Sequence, residues 1–153
     1  VKFTSLNPYR IIVSGRTKHF INAFGEEVII DNVENALEEV IKIHQCKIID
    51  YTVAPKFMKS GKKGKHEWII EFSKEPNNIK QFIIDIDTYI QKVNSDYKAK
   101  RYLNITLDIP KIYVARENLF YDWLKRKNKV GGQNKIPRLS NNRIFFDELL
   151  SIN

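Results

Sequence analysis

The order of apolar runs, helical stripes and glycine-ended turns predicts an α+β fold, a small mixed or antiparallel sheet flanked by helices. Three observations carry this. β-Branched runs such as RIIVSG and KIIDYTVAPKFM end at a glycine or at a glycine-lysine loop, as strands do. Apolar residues recur at helical spacing after Asp31 and again after Asn77. The resulting order, β-β-α-β-β-α-β-α-loop-α, lacks the strict alternation of a doubly wound sheet.

The first thirty residues read as strands. RIIVSG closes at Gly15 and HFINAF at Gly25, and two such runs in succession suggest a hairpin or a bent ribbon. Asp31 is a good N-cap residue, with Glu34 three positions on as in a capping box. Val33, Leu37, Val40, Ile41 and His44 then share one face, and Glu34, Glu38, Glu39 and Lys42 the other. A strand over about 47–58, the loop SGKKGKH and a strand over about 66–73 form an antiparallel pair. Pro76 and Asn77 open a helix expected to run to about Arg101, with Ile79, Phe82, Ile83, Ile86, Tyr89, Ile90 and Val93 on its core face. A strand follows over about 105–115, where Pro110 suggests an edge or a bulge. ENLFYDWLKRK is a short helix, NKVGGQNKIPRLS a basic glycine-rich loop, and 142–152 a closing helix.

The totals limit what the chain can do. Its 153 residues suit one domain, and the 42% hydrophobic fraction with apolar residues in nearly every segment argues against disorder. The formal charge is +8, from 26 Lys+Arg against 18 Asp+Glu, and favours anionic partners without choosing among nucleic acid, acidic lipid and phosphate-bearing ligands. A lone cysteine, Cys46, excludes an intramolecular disulfide and a cysteine metal cluster and reads as a small buried apolar residue. It fits a cytoplasmic compartment. No apolar run approaches the ~18 residues of a membrane span. The opening VKFTSLNPYR has no initiator Met and reads as a cut through a longer protein.

Three stretches could carry chemistry. In SGRTKHFINAFGEEV, Gly15 permits a sharp turn, and Arg16 and Lys18 can set positive charge beside a phosphate or carboxylate; a polar hairpin turn is the plain alternative. In VGGQNKIPRLSN, two glycines precede Lys135 and Pro137 stiffens the chain after it. A pliable loop that presents one lysine near a rigid anchor suits a group that must reach a phosphate and withdraw, and a solvated surface loop is its alternative. KSGKKGK is not a Walker pattern, since no helix follows it, and reads as an exposed hairpin tip. His19, His44 and His66 lack metal-ligand spacing, so no metal site is expected. Paired acids such as Glu26-Glu27 read as helix-flank or solvent-face charges.

Together these stretches carry a resemblance. GRTKHFINAFGEEV resembles the GRxDDxIKxxGxRI stretch of acyl-adenylate-forming enzymes, matching at Gly15, Arg16, Ile21 and Gly25. GGQNKIPRLSN resembles the C-terminal lysine motif of that superfamily. It is closer still to the tyrosine-lysine-x-proline-arginine motif of the auxin-responsive (Gretchen Hagen) acyl-acid amido synthetases, matching at Lys135, Pro137 and Arg138. APKFMKSGKKGKHEWIIEF, NSDYKAKR and FYDWLKRKNKVGGQNKIPRLS are similar to the bacterial branch, so the resemblance covers essentially the whole chain. The chain departs from the plant members at Asn22-Ala23-Phe24-Gly25-Glu26-Glu27, where they carry an acidic stretch, and at Asn134, where they carry tyrosine.

The resemblance implies a C-terminal lid domain of an ATP-dependent ligase. ATP and a carboxylic acid would form an acyl-adenylate, which an amino acid attacks to give an amide. Lys135 would be the catalytic lysine, Lys18 the hinge, and Arg16 and Arg138 phosphate or nucleotide contacts. Residues 1–18 would end the large domain and 19–153 form the lid. ATP and Mg would be bound mainly by an N-terminal large domain, the main partner, and the isolated piece would be inactive. One rival is a basic nucleic-acid-binding module, resting on the +8 charge, the lysine tip, and Tyr121 and Trp123 as stacking residues, although these two sit in a helix at core-like spacing. Another is the small domain of an acyl ligase with a thiol acceptor. Neither nucleic acid nor membrane is the expected partner.

Overall fold

The structure is a computed structural model and describes residues 2–12, 20–60, 62–129, 131 and 135–153. It is the α+β arrangement the pattern predicts. Strand β1 (Lys2–Leu6) pairs antiparallel with β2 (Tyr9–Ile12) across a turn at Asn7-Pro8. Strand β3 (Phe20–Ile21) pairs with β4 (Val28–Ile29). Among the described residues the two early runs do not form the hairpin that their proximity suggests: the first pairs with β1 and the second with β4.

Helix α1 (Ile30–His44) begins one residue before Asp31. Its N-cap is Ile29, which has no side-chain acceptor. Instead the Asn32 side chain accepts the Ile29 N–H at 3.2 Å, so the reciprocal half of a capping box does the work expected of Asp31 and Glu34. Val33, Leu37 and Val40 are buried, joined by Ala36. His44 is half-buried and bonds Asp85 at 2.7 Å.

Strands β5 (Lys47–Lys56) and β6 (Lys65–Lys74) form the long antiparallel pair, and β7 (Lys111–Val114) lies parallel to β6, giving the sheet order β5-β6-β7. The last strand is shorter than expected. Leu107 instead donates its N–H to the Lys100 carbonyl at 3.0 Å and Asp108 to the Gly64 carbonyl at 2.8 Å, and only the four residues from Lys111 then lie along β6.

The expected helix to Arg101 is two helices, α2 (Ile79–Val93) and α3 (Ser95–Arg101). They part at Asn94, whose extended backbone (φ −136°, ψ 107°) ends the first while its side chain accepts the Tyr97 N–H at 2.7 Å and starts the second. Apolar periodicity cannot show such a break, because a capping asparagine is also a tolerable helix residue. Phe82, Ile83, Ile86 and Ile90 are buried as expected, whereas Val93, next to the break, is exposed.

Helix α4 (Leu119–Arg126) is capped by a distant group. The buried Glu71 carboxylate accepts the N–H of Asn118 at 2.7 Å and of Phe120 at 3.3 Å, where the helix dipole favours a negative charge. Trp123 packs inward and Tyr121 is exposed, so the two aromatics do not share a face. Helix α5 (Ile144–Leu150) closes the described chain.

Two clusters of buried side chains form the core. One joins α1, α2 and one face of the sheet around Trp68, Ile70, Phe82 and Ile86. The other joins α4, α5 and the opposite face around Ile69, Leu119, Trp123 and Phe146. Successive residues of β6 thus feed both, as a strand buried on two faces requires. Cys46 is buried, as its surroundings predict.

Candidate functional site

The segment after Lys135 binds the free edge of β5. Val53 donates its N–H to the Arg138 carbonyl at 2.8 Å, and Ser140 donates to the Val53 carbonyl at 3.1 Å. Thr52 adds its hydroxyl to the Pro137 carbonyl at 2.7 Å. Ile136 and Leu139 anchor the segment, one in each core cluster. This follows from composition: two apolar residues flank a proline that has no N–H to waste at a sheet edge. Lys135 is exposed just before this anchored stretch.

Charges gather around it. Arg138 forms an ion pair with Glu34 of α1, and its guanidinium lies 5.2 Å from the Tyr51 ring centroid. Burial is the main influence on the Tyr51 phenol and pushes its pKa up; its hydroxyl has no hydrogen-bond partner among the described residues. Asp50 is also dominated by burial, which raises its pKa against the Tyr51 N–H at 2.9 Å and the charges of Arg138 and Lys135. Arg138 is therefore held by the Tyr51 ring and by Glu34, and Asp50 lies within electrostatic reach of Arg138 and Lys135.

The shift at Asp50 has a measurable sign. A raised native pKa means that the folded chain holds this proton where the unfolded chain has released it, so stability falls as pH rises from the ordinary aspartate value of about 3.9 through the native one. Asp50→Asn is expected to raise the unfolding midpoint at pH 7, and the gain is expected to vanish at about pH 3, below both values. Paired thermal melts at the two pH values check it, and a lower midpoint for the variant at pH 7 would contradict the burial argument.

Of the predicted site residues, the structure brings Lys135 and Arg138 together on the edge of β5. Lys18 and Arg16 lie outside the described residues. Sequence reasoning missed Glu34, Asp50 and Tyr51, which meet Arg138 only through folding. It also misassigned Glu26. That carboxyl is fully buried, accepts the Phe24 N–H at 2.7 Å and faces His66, itself buried, at 2.8 Å. Burial acts to raise its pKa, but the His66 contact and the Phe24 N–H outweigh that and lower it. With the partners forty positions apart in the chain, no local pattern marks the pair.

A mixed three-stranded sheet with helices on both faces and a lysine-bearing segment along one edge defines a small α+β domain. Residues 31–144 match the GH3 family C-terminal domain, and the chain belongs to that family. Two of the solved structures that share the fold are acyl acid amido synthetases. One is a GH3.15 acyl acid amido synthetase, with TM-score 0.71 and 18% identity over 91% of this chain. The other is AtGH3.15 acyl acid amido synthetase in complex with 2,4-DB, with TM-score 0.69 and 15% identity over 90% of this chain. The chain spans 27% and 26% of those proteins' lengths. No curated protein matches it significantly.

Proposed function

We propose that this chain is the C-terminal lid of an ATP-dependent acyl-acid amido synthetase. It closes over a large N-terminal domain that binds ATP, its Mg and a carboxylic acid, and an amino acid then takes the acyl group. The observation that carries this is the Lys135 loop, an exposed lysine on a rigidly docked edge segment in a chain of this family. Charge moves from a bridging to a leaving pyrophosphate oxygen during adenylation, and a preorganised cation stabilises it. Lys135 supplies that cation, and Arg138 orients the loop while offering its half-exposed guanidinium to the same anion.

Residues 1–18 then end the large domain, and Lys18 is the hinge about which the lid turns to admit the amine. Arg16 would meet nucleotide or phosphate beside it. The β1–β2 hairpin fits that division. It exposes Phe3, Leu6, Tyr9, Ile11 and Ile12, an apolar surface for a neighbouring domain to cover. No helix among the described residues is long and apolar enough to cross a membrane. A cytoplasmic protein of the family's bacterial branch accords with this reading.

ATP–pyrophosphate exchange by the full-length protein, with a panel of carboxylic acids, tests the proposal. Acid-dependent exchange is expected, followed by amide formation when amino acids are added. No exchange with any acid in a folded protein would defeat it, and thioester formation with a thiol acceptor in place of amide would correct its second half.

A further inference from the structure

We propose that the mouth of the β5–β6 hairpin binds a small molecule carrying several clustered phosphates, at a site separate from the Lys135 loop. A cleft of about 700 Å³ opens there, lined by Lys56, Phe57, Lys59, Lys62, Lys63 and Lys65. That volume lies in the range small ligands occupy. The inference does not depend on the adenylation reading, because the two basic features sit at opposite ends of β5. The segment runs parallel to β5 with Leu139 opposite Val53, so Lys135, four residues earlier, lies toward the Lys47 end, whereas the cleft begins at Lys56.

Splayed lysines at a solvated tip would need no ligand, but this tip is built. Lys59 and Lys62 exchange backbone hydrogen bonds at 3.2 and 2.7 Å. Asp108 donates its N–H to the Gly64 carbonyl at 2.8 Å, pinning the tip to the segment after α3. Gly64 passes so close under Phe24 that a Cβ there would lie 2.4 Å from the ring, so a larger residue would displace that ring. The Phe24 ring lies 6.2 Å from that of Phe57, which is half-exposed and offers an aromatic surface at the cleft.

The acids lining the cleft are already engaged. Asp108 pairs with Lys65 at 3.4 Å, and Glu67 with Arg143 at 2.9 Å. Lys56, Lys59, Lys62 and Lys63 make no ion pair among the described residues. Four like charges around one concavity leave a positive potential that a single monoanion would not neutralise. Lysines are compact point charges with rotatable donors, suited to phosphate oxygens, and their number calls for several phosphates on one molecule.

Lysine-acylation footprinting of the full-length protein, read by mass spectrometry with inorganic tripolyphosphate as the probe, tests this residue by residue. At a probe concentration several times Kd, modification of Lys59, Lys62 and Lys63 is expected to slow by about fivefold, as occupancy requires. Lys125 and Lys129 should be unaffected, and sulfate at matched ionic strength should change little. The protection should persist in Lys135→Ala and disappear from Lys59 in Lys62→Glu/Lys63→Glu. Equal protection by sulfate would mean simple screening and overturn the proposal. So would loss of protection in Lys135→Ala, absence of protection, or protection by an oligonucleotide alone. The readout uses no enzymatic activity, so a parent that fails to adenylate acids would leave this result interpretable.

Discussion

Replacing Lys135 with alanine in the full-length protein is expected to lower ATP–pyrophosphate exchange by about a hundredfold or more, roughly 3 kcal/mol of transition-state stabilisation. The unfolding midpoint should move little, because the side chain is exposed and the anchoring hydrogen bonds run through the backbone of Arg138 and Ser140 and the Pro137 carbonyl. A charge that acts on the transition state should show mainly in kcat for adenylation, with less change in the KM for ATP. Arginine at this position should rescue only in part, since a planar fork does not reproduce a compact ammonium. An unchanged rate in an active parent would mean that the loop presents a surface lysine, and the mechanism would have to find its cation elsewhere.

The largest expected loss of stability lies at Arg101. This guanidinium is buried and grips Asp87 with two hydrogen bonds, Nε to Oδ1 and Nη2 to Oδ2, both at 2.8 Å. Its remaining donors reach the Leu107 carbonyl at 2.8 Å and the Asn104 side chain. Tyr97, fully enclosed, donates its hydroxyl to the same Asp87 at 2.6 Å. Burial first, and Asp87 second, push that phenol well above its ordinary pKa. Arg101→Ala would leave a buried carboxylate without its cation, for which breaking a buried pair costs about 3–5 kcal/mol. Chemical denaturation measures it. Adding Asp87→Leu to that variant should recover part of the loss, because the stranded charge goes with its partner, although Tyr97 and the Leu107 carbonyl stay unsatisfied. A loss below about 1 kcal/mol for Arg101→Ala would show that water or a neighbour reaches Asp87, contrary to its burial. The network also ties the end of α3 to the segment that pins the lysine tip, so Arg101→Ala should loosen the phosphate cleft.

The sequence by itself determined most of the secondary structure. Periodicity placed α1, β5, β6 and the core face of α2 because those segments bury one stripe or two faces against fixed neighbours, and burial leaves a repeat in the chain. Motif chemistry singled out Lys135, Pro137 and Arg138, because a proline two residues after a lysine in a glycine-rich loop is a local feature. Tertiary structure alone decided what depended on partners far apart in the chain. Asn94 reads as a helix residue until its side-chain amide is seen donating to the Glu27 carbonyl and to the Asn32 side chain, both at 3.1 Å. Glu26 reads as a surface acid until His66, forty residues away, meets it in the core. Arg138 reads as a free cation until Glu34 and Tyr51 hold it. The lysines between β5 and β6 read as a solvated tip until Gly64 is seen packed beneath Phe24. In each case the deciding interaction is a contact between residues distant in the chain. Such a contact has no period and no fixed spacing, so only the folded chain displays it.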